Sequence, residues 1–344
     1  MPTALVTGAT GLVGSHIGER LLRDRWHVRA LVRSAAAERD AVALGMEPVR
    51  GDALDAAAFT RAATGVDVIF HTAANITPRG GWEAFRHLNI DGTRNAIDAA
   101  EASGARLLQL SSVAVYGAET RYGGAGERTH EDTPLAPLPE RAYYGRSKRE
   151  SERLVLEAHD AGRIWATAVR PDVIYGRRDR QFVPRLARLL KHGIAPVIDG
   201  GRAILAVVHA ANVADGAVRA ATSDVAAGRA YNLANDYDVS VEQFFRLAGE
   251  GLGVRIRTLD IPEGVARGLF KFVKVGTKVV SGGRLRIVST ASLDFITRDN
   301  PFTSERARRE LGWSPAVHPR EGVPDAFRWW TEQHGSPRRE LRER

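Results

Sequence analysis

The chain has 344 residues, of which 44% are hydrophobic and 26% charged, with 34 Gly, 15 Pro and no Cys. This composition excludes disordered, collagen-like and coiled-coil chains, and the length favours about two domains or one large domain with an appendage. The lack of Cys excludes disulfide scaffolds, Cys-ligated metal sites and thiol nucleophiles, and it suits the reducing cytoplasm, which we predict as the location. No apolar run has the length of a membrane span and no secretory signal pattern opens the chain, so neither is predicted.

The net charge is +8, and 44 of the 49 cationic side chains are Arg. A positive balance favours anionic partners by electrostatic steering. The chain has no block of Lys and Arg interleaved with aromatic residues, so we predict no nucleic-acid partner. His and acidic residues do not recur at metal-ligand spacing, so no metal is predicted either.

Short apolar runs alternate with segments of helical period over the first 110 residues, and two more apolar runs follow later. This alternation is typical of βαβ units that build a parallel sheet. We predict strands near residues 3–7, 27–32, 47–50, 66–70, 105–110, 165–169 and 230–233. The predicted fold is a doubly wound α/β Rossmann fold with a parallel sheet of about seven strands.

Beyond residue 176 the hydrophobic pattern loosens and Gly and Pro interrupt the chain, which indicates a smaller domain rather than a second sheet. We expect this smaller α/β domain to be mostly C-terminal and to bind the substrate. The dinucleotide-binding domain is assigned to 1–176 and 204–235, the substrate-binding domain to 177–203 and 236–335, and a frayed tail to 336–344.

A glycine-rich turn follows the first predicted strand and opens an amphipathic helix. Gly8 would allow a tight turn, Gly11 the close approach of a pyrophosphate, and Gly14 the close packing of helix on strand. The helix N-terminus supplies N–H donors and the positive end of a dipole. The alternative is a glycine-rich turn without a ligand. We predict a dinucleotide site here, formed by Thr7, Gly8, Thr10, Gly11, Leu12, Val13 and Gly14.

The end of the second predicted strand bears on the choice of cofactor. An acidic residue there would bind the ribose 2′-hydroxyl of NAD, but this chain has Arg33 and Ser34. An Arg can form charge-assisted hydrogen bonds to a 2′-phosphate, so NADP is predicted, with NAD left open. The alternative is that Arg33 is a solvated cation stacked on adenine. Asp52 is a candidate for the adenine edge or for the cap of the next helix.

Two groups of residues predict acid/base chemistry. Tyr144 and Lys148 are four residues apart on one face of a predicted helix, so the ammonium is expected to lower the pKa of the phenol. The run 110–117 lies at the C-terminal end of the fifth strand, where open α/β sheets bind ligands and a hydroxyl can reach a substrate carbonyl. The alternative for Ser111 and Ser112 is turn chemistry.

Taken together, the chain resembles the extended short-chain dehydrogenase/reductase superfamily over nearly its whole length. The ordered motifs are TGATGLVG at 7–14, HTAAN at 71–75, NIDGTRN at 89–95, LSSVAVYG at 110–117, YGRSK at 144–148 and RPDVIYG at 170–176. The resemblance implies that Ser112 is the catalytic Ser, Tyr144 the acid/base, Lys148 the ligand of the nicotinamide ribose and Asn89 a helix Asn behind the site. It also implies cofactor contacts by Tyr144, Lys148, Asp52, Ala53, Ala73, Ala74, Pro171 and Val173.

Within this superfamily the chain is most similar to the 3β-hydroxysteroid dehydrogenase and dihydroflavonol reductase branch. Val173 stands where nucleotide-sugar epimerases carry an Asn, and Val113 and Ala114 stand where sugar dehydratases carry an acidic pair. The resemblance implies an NAD(P)-dependent oxidoreductase acting on a ketone or secondary alcohol of a hydrophobic steroid-, flavonoid- or polyketide-like molecule. Two alternatives stay open: a nucleotide-sugar epimerase with tightly bound NAD, and a non-catalytic NADP-sensing protein.

A cationic stripe within 262–288 is a further signal, since Arg267, Lys271, Lys274 and Lys278 recur at helical spacing. The region resembles the cover of the substrate cleft in the steroid branch. One interpretation of the stripe is a lid over the substrate cleft or a peripheral membrane contact. The alternative is an ordinary surface helix with solvated cations. A homodimer, common among relatives, is a further expectation.

Overall fold

The computed structural model describes residues 1–77, 80–117, 128–234, 237–266 and 295–335. The strands are β1 (Thr3–Thr7), β2 (His27–Val32), β3 (Glu47–Arg50), β4 (Val68–His71), β5 (Arg106–Leu110), β6 (Ala166–Pro171), β7 (Val173–Tyr175), β8 (Ile194–Ile198), β9 (Val207–His209), β10 (Ala230–Leu233) and β11 (Arg257–Ile261).

The helices are α1 (Leu12–Arg23), α2 (Ala35–Ala43), α3 (Ala56–Ala63), α4 (Gly81–Phe85), α5 (Gly92–Ser103), α6 (Tyr143–Asp160), α7 (Phe182–Leu190), α8 (Ala210–Thr222), α9 (Val241–Leu252), α10 (Glu305–Leu311) and α11 (Pro319–His334). A π-helical turn, Arg86–Asp91, joins α4 to α5, and short 3₁₀ turns form at Val113–Tyr116, Asp199–Gly201 and Asp224–Ala226.

Seven strands form one parallel sheet in the order β10-β6-β5-β4-β1-β2-β3. The chain order reverses between β1 and β4, where Thr7 pairs with His71. In sheets of this kind the carboxyl ends of the strands share one edge, and ligands bind at the reversal point. The predicted Rossmann fold and its seven-stranded sheet are confirmed.

The central strands are buried on both faces, which explains their nearly continuous apolar sequence. Val6, Phe70 and Leu108 pack on one face with α1 and α8. The intervening residues Leu5 and Ile69 pack on the other face with α3, α5 and α6. The sheet is therefore covered on both sides by helices, and its carboxyl edge remains as the place for a site.

The chain divides into two compact units. The first comprises 1–174, 208–236 and 302–316, and the second comprises 175–207, 237–301 and 317–344. Two-stranded sheets are formed by β8 with β11 and by β7 with β9. The functional roles that we predict for the two domains remain predictions.

The segment 302–316 differs from the prediction, which placed it in the substrate-binding domain. The structure places it in the first unit, because the Ala234 N–H donates to Ser304 Oγ at 2.7 Å and the buried Trp313 indole donates to the Asn212 carbonyl at 3.0 Å. Both contacts join residues about 70 to 100 positions apart. Local hydrophobic periodicity does not report pairings over such a separation.

The second unit has a small sheet that the sequence did not predict. Its strands β8 and β11 pair in parallel from Arg257 opposite Ile194 to Ile261 opposite Ile198. Four of the five residues of β11 are exposed, so this strand lacks the apolar pattern of a buried strand. The expectation of no second sheet in this region is therefore wrong.

All four residues of the cationic stripe lie outside the described residues, which break off after Ala266 and resume at 295. Just before this gap, Val265 is exposed and Ala266 is buried. The predicted tail 336–344 also lies outside. Among the residues that the structure describes, no helix is both long enough and apolar enough to cross a lipid bilayer.

Candidate active site

The glycine turn between β1 and α1 is shaped by close backbone contacts. Gly8 has φ +65°, and a Cβ there would lie 3.0 Å from the Ala73 nitrogen. A Cβ on Gly14 would lie 2.3 Å from the Gly8 carbonyl oxygen, so only glycine fits at this position. Gly11 is the N-cap of α1 and provides no side-chain cap for its first N–H groups. These features fit a pyrophosphate held by main-chain donors, with Thr10, Leu12 and Val13 alongside.

Thr7 and His71 tie the ends of β1 and β4 together at the reversal point. Thr7 Oγ1 accepts the N–H groups of Thr72 and Ala73, both at 3.2 Å, and lies 2.9 Å from His71 Nδ1. Because both lone pairs of the hydroxyl are used, its proton goes to Nδ1. Burial and the nearby charge of Lys148 lower the pKa of His71 to about 3. His71 is therefore neutral, and the link fixes Ala73 at the edge of the sheet.

Arg33 follows β2 directly, and its side chain is 67% exposed. Its guanidinium lies 3.6 Å from the Asp52 carboxylate. Asp52 Oδ1 accepts the Leu54 N–H at 3.0 Å, whereas Asp55 caps α3 through the Ala58 N–H. Of the two roles considered for Asp52, helix capping is therefore excluded. A cation beside an acceptor at this strand end fits the adenosine end of a dinucleotide.

Ser112 and Tyr144 are brought together from two elements. Ser112 follows β5, and its Oγ accepts the Ala114 N–H at 3.2 Å at the start of the 3₁₀ turn. Tyr144 lies in the first turn of α6. Burial raises the pKa of the Tyr144 phenol, and a hydrogen bond with Ser112 opposes the rise. A protonated phenol and a neighbouring hydroxyl can together bind one carbonyl oxygen.

Lys148 lies one turn beyond Tyr144 and is 3% exposed. Its ammonium donates to the Leu110 carbonyl at 2.6 Å. Burial lowers the pKa of Lys148 to about 8, and the charge of Glu152 works against that change. In this structure the ammonium is directed at the strand, and burial is the main influence on the pKa of the phenol. The expectation that Lys148 lowers the pKa of Tyr144 stays a prediction.

Asn89 lies in the π-helical turn and is buried. Its Oδ1 accepts the Asn75 N–H at 2.6 Å, and its Nδ2 donates to the Asn75 carbonyl at 3.0 Å and to Ser147 Oγ at 2.9 Å. Ser147 Oγ in turn donates to the Tyr144 carbonyl at 2.9 Å. Asn89 therefore holds the loop after β4 against the first turn of α6, behind Tyr144. Widened helical turns of this type are frequent at functional sites.

The remaining candidates also follow strands of the main sheet. Ala53 is buried, and its carbonyl accepts Asn95 Nδ2 at 2.9 Å. Ala74 is half-buried in the loop after β4. Pro171 is the last residue of β6, and Val173 is exposed just beyond it. All four lie at or beyond the carboxyl ends of strands, where the sequence predicts the cofactor, and their contacts with it remain predictions.

Sequence reasoning missed a buried polar network beside these residues. Arg170 on β6 binds both carboxylate oxygens of Glu152 on α6, and it also donates to the Tyr116 hydroxyl at 2.8 Å. The Tyr116 hydroxyl donates to Asn232 Oδ1 at 2.8 Å. The one sequence signal was a charged residue at 152, one turn beyond Lys148 on the same helix face.

Comparison with known proteins also indicates a dinucleotide-dependent enzyme, as the residues at the strand ends do. Residues 4–234 match the model of the NAD dependent epimerase/dehydratase family. The chain belongs to this family. The predicted membership of the extended short-chain dehydrogenase/reductase group, and the prediction of a nicotinamide-dependent enzyme, are confirmed at the level of the family.

Two relatives that match nearly the whole chain have oxidoreductase names. The 4-hydroxy-2-methyl-3-oxo-4-farnesyl-3,4-dihydroquinoline-1-oxide ketoreductase of Stigmatella aurantiaca is 31% identical over 94% of this chain and 95% of its own length. The 3beta-hydroxysteroid-dehydrogenase/decarboxylase isoform 1 of Arabidopsis thaliana is 27% identical over 93% of this chain and 77% of its own length. The crystal structure of gox2253 covers 98% of this chain and 99% of its own, with a TM-score of 0.77 and 26% identity.

Proposed function

We propose that the chain is an NADPH-dependent reductase of ketones carried by hydrophobic small molecules. The observation that carries the proposal is the proximity of the Ser112 hydroxyl, just after β5, to the buried phenol of Tyr144, with Lys148 one turn further along α6. Two neighbouring hydroxyl donors suit a carbonyl oxygen on which negative charge develops. When bound, the nicotinamide supplies the hydride.

The residues have distinct roles in this proposal. Ser112 donates a hydrogen bond to the carbonyl oxygen and orients it. Tyr144, whose phenol is kept protonated by its raised pKa, donates its proton to that oxygen. Lys148 holds the nicotinamide ribose and stabilises the phenolate that Tyr144 becomes. Asn89 positions α6 through Ser147 and so fixes the phenol.

The preference for NADPH rests on the end of β2. Arg33 is exposed there, and its nearest acidic partner, Asp52, lies 3.6 Å away. At this distance and exposure the pair is weak, so a 2′-phosphate can replace it with a charge-assisted contact. The carboxylate that would bind the 2′-hydroxyl of NAD is missing from this strand end, where Arg33 and Ser34 stand.

The substrate class is proposed from the relatives. One is named for a farnesylated quinoline ketone and another for hydroxysteroids, and both names describe large apolar molecules. Initial rates of NADPH oxidation should be measured with a 3-ketosteroid, a flavonoid ketone and a long-chain polyketide-type ketone, beside acetone as a small control and UDP-glucose as an epimerase substrate. We expect turnover with at least one apolar ketone. Turnover of UDP-glucose to its 4-epimer without net NADPH oxidation would replace the proposal by sugar epimerisation.

A further inference from the structure

A buried ion pair lies next to the candidate acid/base residues and takes no part in the reaction proposed above. Glu152 and Arg170 have side chains that are only 5% and 7% exposed. Arg170 Nε lies 3.1 and 3.0 Å from the two carboxylate oxygens, and Nη2 lies 2.5 Å from one of them. A buried pair is costly to desolvate, so it contributes less to stability than its short distances indicate. Its position therefore needs another explanation.

Arg170 also contacts the turn that carries Ser112. Its Nη1 donates to the Tyr116 hydroxyl at 2.8 Å, and its guanidinium carbon lies 5.0 Å from the centre of the Tyr116 ring. Tyr116 is the last residue of the 3₁₀ turn that begins after Ser112. One side chain thus joins the helix of Tyr144 and Lys148 to the turn of Ser112. Arg149 makes a second connection, since its Nε donates to the Val115 carbonyl at 2.9 Å.

Glu152 lies one turn after Lys148, and its charge favours the ammonium form. The titratable groups that bear on Lys148 are His71 from β4, which is neutral, and Glu152 from α6. Those that bear on the pair itself are Lys148 and Arg149 from α6, Tyr116 from the turn, and Glu131 and Asp132 from the loop before α6. Glu152 is therefore the acidic group that bears most directly on the Lys148 charge among the residues that the structure describes.

We propose that Glu152 and Arg170 are positioning residues of the active site: the Glu152 carboxylate keeps the buried Lys148 in its charged form, and Arg170 fixes both that carboxylate and the turn of Ser112. The catalytic meaning of this inference rests on the proposed reductase function. The charge relation between Glu152 and Lys148 is independent of turnover, so it can be tested even if no ketone is reduced.

The test uses the low lysine content of the chain, which has five Lys in all. Protein labelled with ¹³C at lysine Cε is titrated by NMR, and the resonance missing from Lys148→Arg identifies Lys148. We expect Lys148 in the wild type to titrate below the other four lysines. Glu152→Gln, which removes the charge and keeps the shape, should lower its midpoint by about one further pH unit. Glu152→Asp, which keeps the charge and shortens the side chain, should stay closer to the wild type.

The matched control is Glu150→Gln, because Glu150 pairs with the exposed Arg153 on the same helix. It should leave the Lys148 midpoint unchanged. An unchanged midpoint in folded Glu152→Gln would overturn the inference about charge, and so would equal shifts in Glu152→Gln and Glu152→Asp, which indicate a merely structural role.

Arg170→Lys tests the part of the proposal in which Arg170 positions Glu152 and the turn of Ser112. It can also be used if Glu152→Gln fails to fold. It keeps the positive charge but loses the fork that binds both carboxylate oxygens. We expect a fall in kcat of about tenfold with the Lys148 midpoint near the wild type. A wild-type kcat would overturn the positioning role. Failure of the reductase proposal can be told apart from failure of this inference. A wild-type protein that binds NADPH but reduces no ketone would contradict the reductase proposal, and the Lys148 titration could still be measured.

Discussion

Lys148 and Leu110 are joined by a hydrogen bond of 2.6 Å between a buried ammonium and the last main-chain carbonyl of β5. Leu110 is two residues before Ser112, so this bond docks α6 onto the strand that delivers Ser112. The relative placement of Ser112 and Tyr144 therefore depends on Lys148 as well as on the packing of the helix. Loss of Lys148 is expected to affect both binding of the cofactor and placement of the acid.

Replacing Tyr144 by Phe should lower kcat for ketone reduction by at least about 100-fold, because the proton donor is lost. The dissociation constant for NADPH should change little, since the ring remains. The control is Tyr143→Phe: the Tyr143 ring packs 6.3 Å from the rings of Trp82 and Phe85, and this packing is kept without the hydroxyl. Stopped-flow turnover and fluorescence titration measure the two quantities, and near-normal turnover in Tyr144→Phe would contradict the assignment.

Replacing Arg33 by Ala should weaken NADPH binding by about 10- to 100-fold and leave NADH binding unchanged, because only NADPH carries the 2′-phosphate. The control is Arg50→Ala: Arg50 ends the neighbouring strand β3, but its guanidinium is paired with Glu38 at 2.6 Å. Dissociation constants for both cofactors should be measured for each protein. Equal losses for NADPH and NADH would show that Arg33 does not select between them.

The rate of ketone reduction should fall as the pH rises above about 8. Lys148 loses its proton there, because burial lowers its pKa to about 8 from the value of 10.5 for an exposed lysine. A neutral amine cannot stabilise the phenolate of Tyr144. The measurement is kcat/KM between pH 6 and 10, and Lys148→Arg, which stays charged, should lose this alkaline limb at a lower overall rate. A wild-type profile flat to pH 10 would contradict the role of Lys148.

Acid should destabilise the protein in part through His71. Its pKa is about 3 in the folded chain against 6.5 for an exposed histidine, so between these values the unfolded chain binds the proton and the folded chain does not. The free energy of unfolding therefore falls as the pH drops below 6.5, by about 2 kcal/mol from pH 7 to 5. His71→Asn keeps an acceptor for Thr7 and should lose less stability. The free energy of unfolding of both proteins should be measured by urea unfolding at pH 7 and pH 5. Equal losses of stability in the wild type and His71→Asn would contradict the contribution of His71.

Gly14→Ala should destabilise the fold by about 1 to 3 kcal/mol and impair cofactor binding, because the new methyl group would meet the main chain of Gly8 and Ala9. Gly264→Ala is the control, since a Cβ there meets no atom within 4 Å. Thermal unfolding and NADPH titration measure both effects. A Gly14→Ala protein as stable as Gly264→Ala would contradict the close approach in the glycine turn.

The sequence predicted the elements whose local pattern carries the information. The central strands of the main sheet are buried on both faces and consist of short apolar runs, and Gly8, Gly11 and Gly14 mark a turn that admits only small residues. The exposed strand β11 has no such pattern and was missed. Local patterns therefore predict what a segment is and not what it pairs with.

The candidate site shows the same division. The spacing of Tyr144 and Lys148 placed both on one helix face, but it did not show that the ammonium is bonded to Leu110. Burial of the phenol, which decides the direction of its pKa, follows from the tertiary packing. The pairing of Glu152 with Arg170 joins a helix to a strand and leaves no trace in either local pattern.

The central claim, hydride transfer to a ketone with Tyr144 as the acid, is tested most directly with an apolar ketone and NADPH that carries deuterium at both C4 positions of the nicotinamide. The account predicts one deuterium on the carbinol carbon of the product, formed by the wild type and at least about 100-fold more slowly by Tyr144→Phe. A product without deuterium, or equal rates for the two proteins, would contradict it.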